Sequence, residues 1–278
     1  MTRNSLRFGL NIAVAALLVV AAAVFLAPTM PATATGAADP AQPEISSRRA
    51  AERKAFTDAE IADGFFRTAF GAELHLAGPV NRIRKFDAPV RIYVDSRARP
   101  DRRREVAEVV ADIRKRVQHL DIAVVNTAAT ANVMVTLVRD HDLGRAINKL
   151  YGREQARLIQ RSLSPQCLSS FRKDAKFRIT HSDVILVADA GDFVFYDCVY
   201  EELLQALGPI NDTNAVPWTM FNDDVQMGFF DIYDQYILNI LYDPRVQPGM
   251  AVDDVRALLP AVIPTVREFV SRVNNLTP

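Results

Sequence analysis

Between residues 56 and 273 the chain switches repeatedly between two hydrophobic periods, and this limits its fold more than any other feature. Val90 to Asp95 alternates apolar and polar residues, the period of a half-buried strand. Pro100 and Asp101 open an amphipathic helix running to about Gln118, with Val106, Val109, Val110, Ile113 and Val117 on its inner side. Asp121–Val125 and Asn132–Val138 read as strands, His141–Leu163 as a helical region with basic outer residues, and Phe177–Asp189 as a strand pair or one long strand. Thr57 and Glu60 form a capping box ahead of a helix carrying Ile61, Phe65, Phe66 and Phe70 inward. Asp192–Tyr196 leads into a helix over Asp197–Leu207, stopped by Gly208-Pro209. Further helices are expected over Phe229–Tyr242 and over Asp253–Val273, the last interrupted near Pro260 and Pro264. Strands alternating with helices predict an α/β (α+β) domain over residues 56–278, with helices packed on a twisted mixed sheet.

The amino terminus follows a different rule. Arg3 and Arg7 precede an uncharged apolar run from Phe8 to Ala27, just long enough to cross a bilayer as a helix. Pro28 and Pro31 end it, and Ala32-Thr33-Ala34 offers a small-residue cleavage site. Residues 1–28 are therefore expected to be a hydrophobic helix, either a cleaved signal or an uncleaved anchor. The arginine bias places everything after Ala27 outside the cytoplasm. Residues 29–55, rich in Ala, Thr, Pro and Ser and then charged, read as a flexible linker reaching roughly 30 Å. In an oxidising space Cys167 and Cys198 can pair in only one way, adding about 3–4 kcal/mol by loop entropy; two buried thiols are the alternative.

The formal charge is zero, 33 Lys+Arg against 33 Asp+Glu, which argues against a generally basic nucleic-acid binder. The distribution is uneven. From Asp183 through Pro244 there are twelve acidic residues and no Lys or Arg, whereas Arg139–Arg178 holds ten basic and four acidic residues. Within the acidic stretch, the helix Cys198-Val199-Tyr200-Glu201-Glu202-Leu203-Leu204-Gln205-Ala206-Leu207 is apolar around most of its circumference. Glu201 and Gln205 lie one turn apart on it, with Glu202 beside them. Carboxylates on such a helix need a cation, a partner or solvent. Asn211-Asp212 and Asn222-Asp223-Asp224 add oxygen donors of the kind calcium prefers, without matching a known loop signature.

Glu-Glu-x-x-Gln-x-Leu-Gly sits where matrixin-like zinc peptidases carry His-Glu-x-x-His-x-x-Gly-x-x-His, and Trp218-Thr219-Met220-Phe221-Asn222 resembles the segment around their Met-turn. Phe230-Asp231-Ile232 through Ile240-Leu241-Tyr242 looks like their closing helix. The longer string from Cys198 through Asn211-Asp212 to Leu241-Tyr242-Asp243-Pro244-Arg245 and Pro248-Gly249-Met250 more closely resembles the bacterial family called domain of unknown function 2927, over most of residues 56–250. These likenesses imply a zincin-like sheet, an exported protein, and a site containing Glu201, Glu202, Gln205, Asn211, Asp212 and Met220. The departures are as informative. Glu201 stands at the first ligand position, Gln205 at the second and Asn211 at the third, and amides are poor zinc ligands. Only Glu202, matching the general base, is retained; His75, His119, His141 and His181 show no ligand spacing.

The expectation is thus an envelope protein attached through its amino-terminal helix, with a degenerate zinc site and a binding or assembly role toward an envelope protein or cell-wall partner. The alternative is an atypical metal-dependent peptidase or other hydrolase, with Glu202 as general base and zinc, calcium or a similar ion held by Glu201, Asp212 and Asp223.

Overall fold

The computed structural model describes residues 43–71, 81–162 and 166–276. The expected apolar helix and the first part of the expected linker lie outside them. Among the described residues no helix is long and apolar enough to cross a membrane.

A five-stranded mixed sheet forms the middle layer, from β1 (Val90–Ser96), β2 (Ile122–Val124), β3 (Val133–Val138), β4 (Cys167–Lys173) and β5 (Ile179–Val187), in the order β2-β1-β3-β5-β4. All neighbours pair in parallel except β4, which lies antiparallel to β5 at one edge. The region 177–189 is therefore one strand, and its hairpin partner is the preceding segment. Sequence pattern misses β4 because Cys-Leu-Ser-Ser-Phe-Arg-Lys buries Leu168 and Ser169 in succession instead of alternating.

Alternation along β5 feeds two cores. Val184 and Leu186 join the large one, while Ile185 and Val187 join a smaller cluster on the opposite face. The large core is roofed by α2 (Asp58–Ala69), α3 (Arg103–Arg116), α6 (Asp192–Ala206), α7 (Ile232–Tyr242) and α8 (Val252–Val273). The smaller cluster is covered by α4 (Leu143–Tyr151) and α5 (Arg153–Ser162), which bury Leu143, Ile147, Ala156 and Ile159. The single helical region expected there divides at Gly152, whose φ of +79° suits glycine. The capping box of α2 is present, Thr57 Oγ1 accepting from Glu60 N at 3.2 Å and Glu60 Oε2 from Thr57 N at 2.7 Å.

The structure also departs from expectation at both ends of the described chain. The linker is not linker throughout, because Pro43–Ala51 forms α1 and buries Ile45. Its arginines dock on rings: Arg48 lies 4.7 Å from Phe193 and Arg49 4.2 Å from Phe229. A charged segment with one large apolar residue looks solvated in sequence, yet guanidinium stacking fastens it to aromatic rings supplied by α6 and the loop before α7. Nor is α8 interrupted: its 22 residues run through both Pro260 and Pro264. Arg245 braces this stretch, donating to the Ala261 carbonyl at 2.9 Å and to Thr265 Oγ1 at 2.7 Å. These bonds hold the proline-containing turns against the loop that follows α7.

Candidate functional site

Helix α6 follows β5 and is tied to β4 and β5 at three points. The Cys167–Cys198 disulfide joins it to β4, with Cα atoms 5.8 Å apart. Ser169 Oγ donates to Gln205 Oε1 at 3.1 Å, and Ser182 Oγ to the Ala206 carbonyl at 2.8 Å. The helix starts at Asp192, over a turn earlier than expected, and ends against Gly208. There φ is +145°, and a Cβ would stand 2.4 Å from the Arg84 carbonyl oxygen. Only glycine fits that close approach, so the chain turns sharply and returns over α6.

The returning segment is held from beneath by buried carboxylates. Asp234 of α7 accepts from Thr219 Oγ1 at 2.5 Å and from Met220 N at 2.8 Å, which fixes the turn expected around Met220. Met220 itself is packed in the core. Asp231 caps α7, accepting from Asp234 N at 3.1 Å, so this helix starts at Ile232 rather than at Phe229. Burial raises both acids from the ordinary aspartate value, Asp231 well above it; the neighbouring Asp234 charge adds to the shift of Asp231, and Glu201 to that of Asp234. At the far end of the segment Asp197 accepts from Met227 N at 2.7 Å and Gly228 N at 2.9 Å, and burial raises it too.

This scaffold brings three of the expected residues together. One carboxylate oxygen each from Glu201, Asp212 and Asp223 lies within 4.8 Å of the others, from α6 and from two points of the returning segment. Glu201 and Asp212 are half-buried and Asp223 exposed. Three such charges repel one another unless a cation or a proton compensates. Gln205 is adjacent, its Nε2 donating to Asp212 Oδ1 at 2.6 Å. Both ends of that amide are thereby engaged, one by β4 and one by Asp212. Glu202 is buried, at 6% exposure, and does not join the grouping.

Asn211 lies elsewhere. Its Nδ2 donates to the Arg67 carbonyl at 2.7 Å and its backbone N–H to that of Thr68 at 3.3 Å, closing the end of α2. His181 is paired with Asp183 at 3.1 Å, and among the described residues no histidine joins the carboxylates. The residues present do not fit zinc. Gln205 and Asn211, expected at ligand positions, carry amides committed to other groups, and the grouped donors are all carboxylate oxygens.

Sequence reasoning missed Ser169 and the roles of Thr219 and Asp234. Asp231-x-x-Asp234 does carry the spacing of a helix start, which signals the cap. Nothing local marks Ser169, whose partner is 36 residues away.

Fold and site together define a mixed α/β protein with a carboxylate cluster where its longest inter-element loop returns over a sheet-edge helix. Over residues 58–261, well over half of the chain, it matches the family model described as protein of unknown function (DUF2927), and it belongs to that family. No curated protein and no solved structure shows a significant match to it.

Proposed function

We propose that the chain is an exported envelope protein, attached to or delivered across the membrane by its amino-terminal apolar segment, on a zincin-like scaffold that serves binding or assembly rather than zinc hydrolysis. The observation that carries this reading is the commitment of Gln205 and Asn211. Each occupies an expected ligand position, and each spends its side-chain amide on holding the scaffold. An antiparallel edge strand beside a helix that follows β5, with a buried turn ahead of α7, supports the zincin-like part of the proposal. The Cys167–Cys198 disulfide supports an oxidising compartment. The carboxylates then face a basic group of an envelope or cell-wall partner.

A second reading, a hydrolase with Glu202 as general base and a metal on Glu201, Asp212 and Asp223, is favoured by the convergence of those three oxygens. One experiment separates the two. Full-length protein purified without chelator or affinity-tag metal is analysed for bound metal and assayed against an unstructured protein substrate. Neither bound metal in stoichiometric amount nor hydrolysis is expected. Stoichiometric metal lost in Glu201→Ala, together with hydrolysis lost in Glu202→Gln, would overturn the binding reading.

A further inference from the structure

On the sheet face opposite α6, the helices α4 and α5 leave an open cleft of about 800 Å³, lined by His141, Arg145, Asn148, Lys149, Arg153, Arg157 and Gln160. Among the described residues no carboxylate lines it. We infer that this cleft binds a phosphate-bearing anion, at a site separate from the carboxylate cluster and independent of the function proposed above.

Spacing is the first sign of a ligand. Arg145, Lys149, Arg153 and Arg157 recur every four residues, across the break at Gly152. Like charges at that spacing oppose helix formation. The cores of α4 and α5 need only Leu143, Ile147, Ala156 and Ile159, so packing gives no reason for the row of cations. The lack of internal neutralisation is the second sign. Among the described residues no ion pair joins Lys149, Arg153 or Arg157 to a carboxylate. Arg145 meets Asp142 at 2.9 Å but remains 82% exposed. This differs from α3, where Arg104 and Arg116 each face a carboxylate four residues back or ahead. A solvated helix face carries mixed charge, whereas this one is of a single sign around a concavity.

Donor geometry selects the anion. Guanidinium groups present paired donors that match phosphate oxygens, and Asn148, Gln160 and His141 add donors for the remaining ones. The cleft falls in the range of small-ligand sites and is wide enough for a group carrying more than one phosphate. Such chemistry occurs in lipid headgroups and in soluble phosphorylated molecules.

The test uses the full chain in a neutral detergent at 0.15 M salt, with two probes titrated calorimetrically: inorganic tripolyphosphate, and sub-micellar dihexanoyl phosphatidylglycerol. The double reversal Lys149→Glu/Arg153→Glu is expected to weaken binding at least tenfold, and Arg104→Glu on α3 to leave it unchanged. Preference for the lipid probe identifies a headgroup as the source; preference for tripolyphosphate identifies a soluble ligand. Should the double variant lose its helical signal, Arg157→Gln carries the test with an expected loss of about threefold. The inference is overturned if neither probe binds, or if the cleft variants bind as tightly as the native chain.

Discussion

Replacing Asp234 tests the scaffold under the candidate site most directly. Its carboxylate is fully buried and accepts from Thr219 Oγ1 and Met220 N. In Asp234→Ala both donors stay buried without an acceptor. Each unmet donor costs about 1–3 kcal/mol, so the variant should lose about 2–6 kcal/mol. Asp234→Asn keeps one carbonyl oxygen and turns its amide toward one of the two donors, so roughly half that cost is expected. The pH dependence sharpens the comparison. Asp231 and Asp234 both titrate above their ordinary value of 3.8 in the folded chain. The folded state therefore holds more protons than the unfolded state, and this pair's contribution to stability falls as pH rises above about 4. The asparagine substitution removes one of the two charges. The native chain's advantage over Asp234→Asn should thus be smaller at pH 8 than at pH 5. Urea unfolding followed by far-ultraviolet circular dichroism at both pH values measures it, and Asp234→Ala should lower the midpoint by about 1 M or more. A cost below about 1 kcal/mol for Asp234→Ala, or an Asp234→Asn penalty that grows with pH, would refute the account of a buried acid pair holding the turn.

Reduction of Cys167–Cys198, which closes a separation of 31 residues, should cost about 3–4 kcal/mol by loop entropy. A urea midpoint that dithiothreitol leaves unchanged would contradict this, and thiol titration of the denatured, unreduced protein should find no free cysteine. Glu52, beside Asp231 and bonded to Ile232 N at 2.5 Å, is pushed up to about 7 by burial first and by the Asp231 charge. Its raised value means that docking of α1 is favoured below pH 4.5 and loses that contribution as pH rises through about 7. Hydrogen exchange in residues 43–51 should accelerate from pH 5.5 to 8 beyond its intrinsic pH dependence, and Glu52→Gln should remove the excess.

The periodic elements were legible because their cause is local. Val90, Ile92 and Val94 alternate into the core, and Val106, Val109, Val110 and Ile113 make one helical stripe, so strand and helix follow from side-chain spacing alone. The helix bearing Glu201 and the oxygen donors Asp212 and Asp223 were readable from the apolar background and the uneven charge. The start of α7 was misplaced by three residues because Phe229 and Phe230 are apolar and buried, yet lie before the cap that Asp231 provides. β4 alternates weakly and is completed by its hairpin neighbour β5, whereas α1 has distant partners, rings from elsewhere that hold arginines which look solvated.

The charge pattern shows the same division. By itself the sequence determined that acid and base are segregated, that two cysteines have one possible pairing, and that an apolar helix carries Glu201, Glu202 and Gln205. Only the tertiary structure decided what those groups do. It placed Asp231 and Asp234 out of solvent as supports, and drew Glu201, Asp212 and Asp223 together from three points of the chain. It spent Gln205 and Asn211 on the scaffold and lined the basic residues of α4 and α5 around a cleft on the far face. Side-chain pairing depends on which elements the packed sheet and helices bring within hydrogen-bond reach, and that distance has no local signature in sequence.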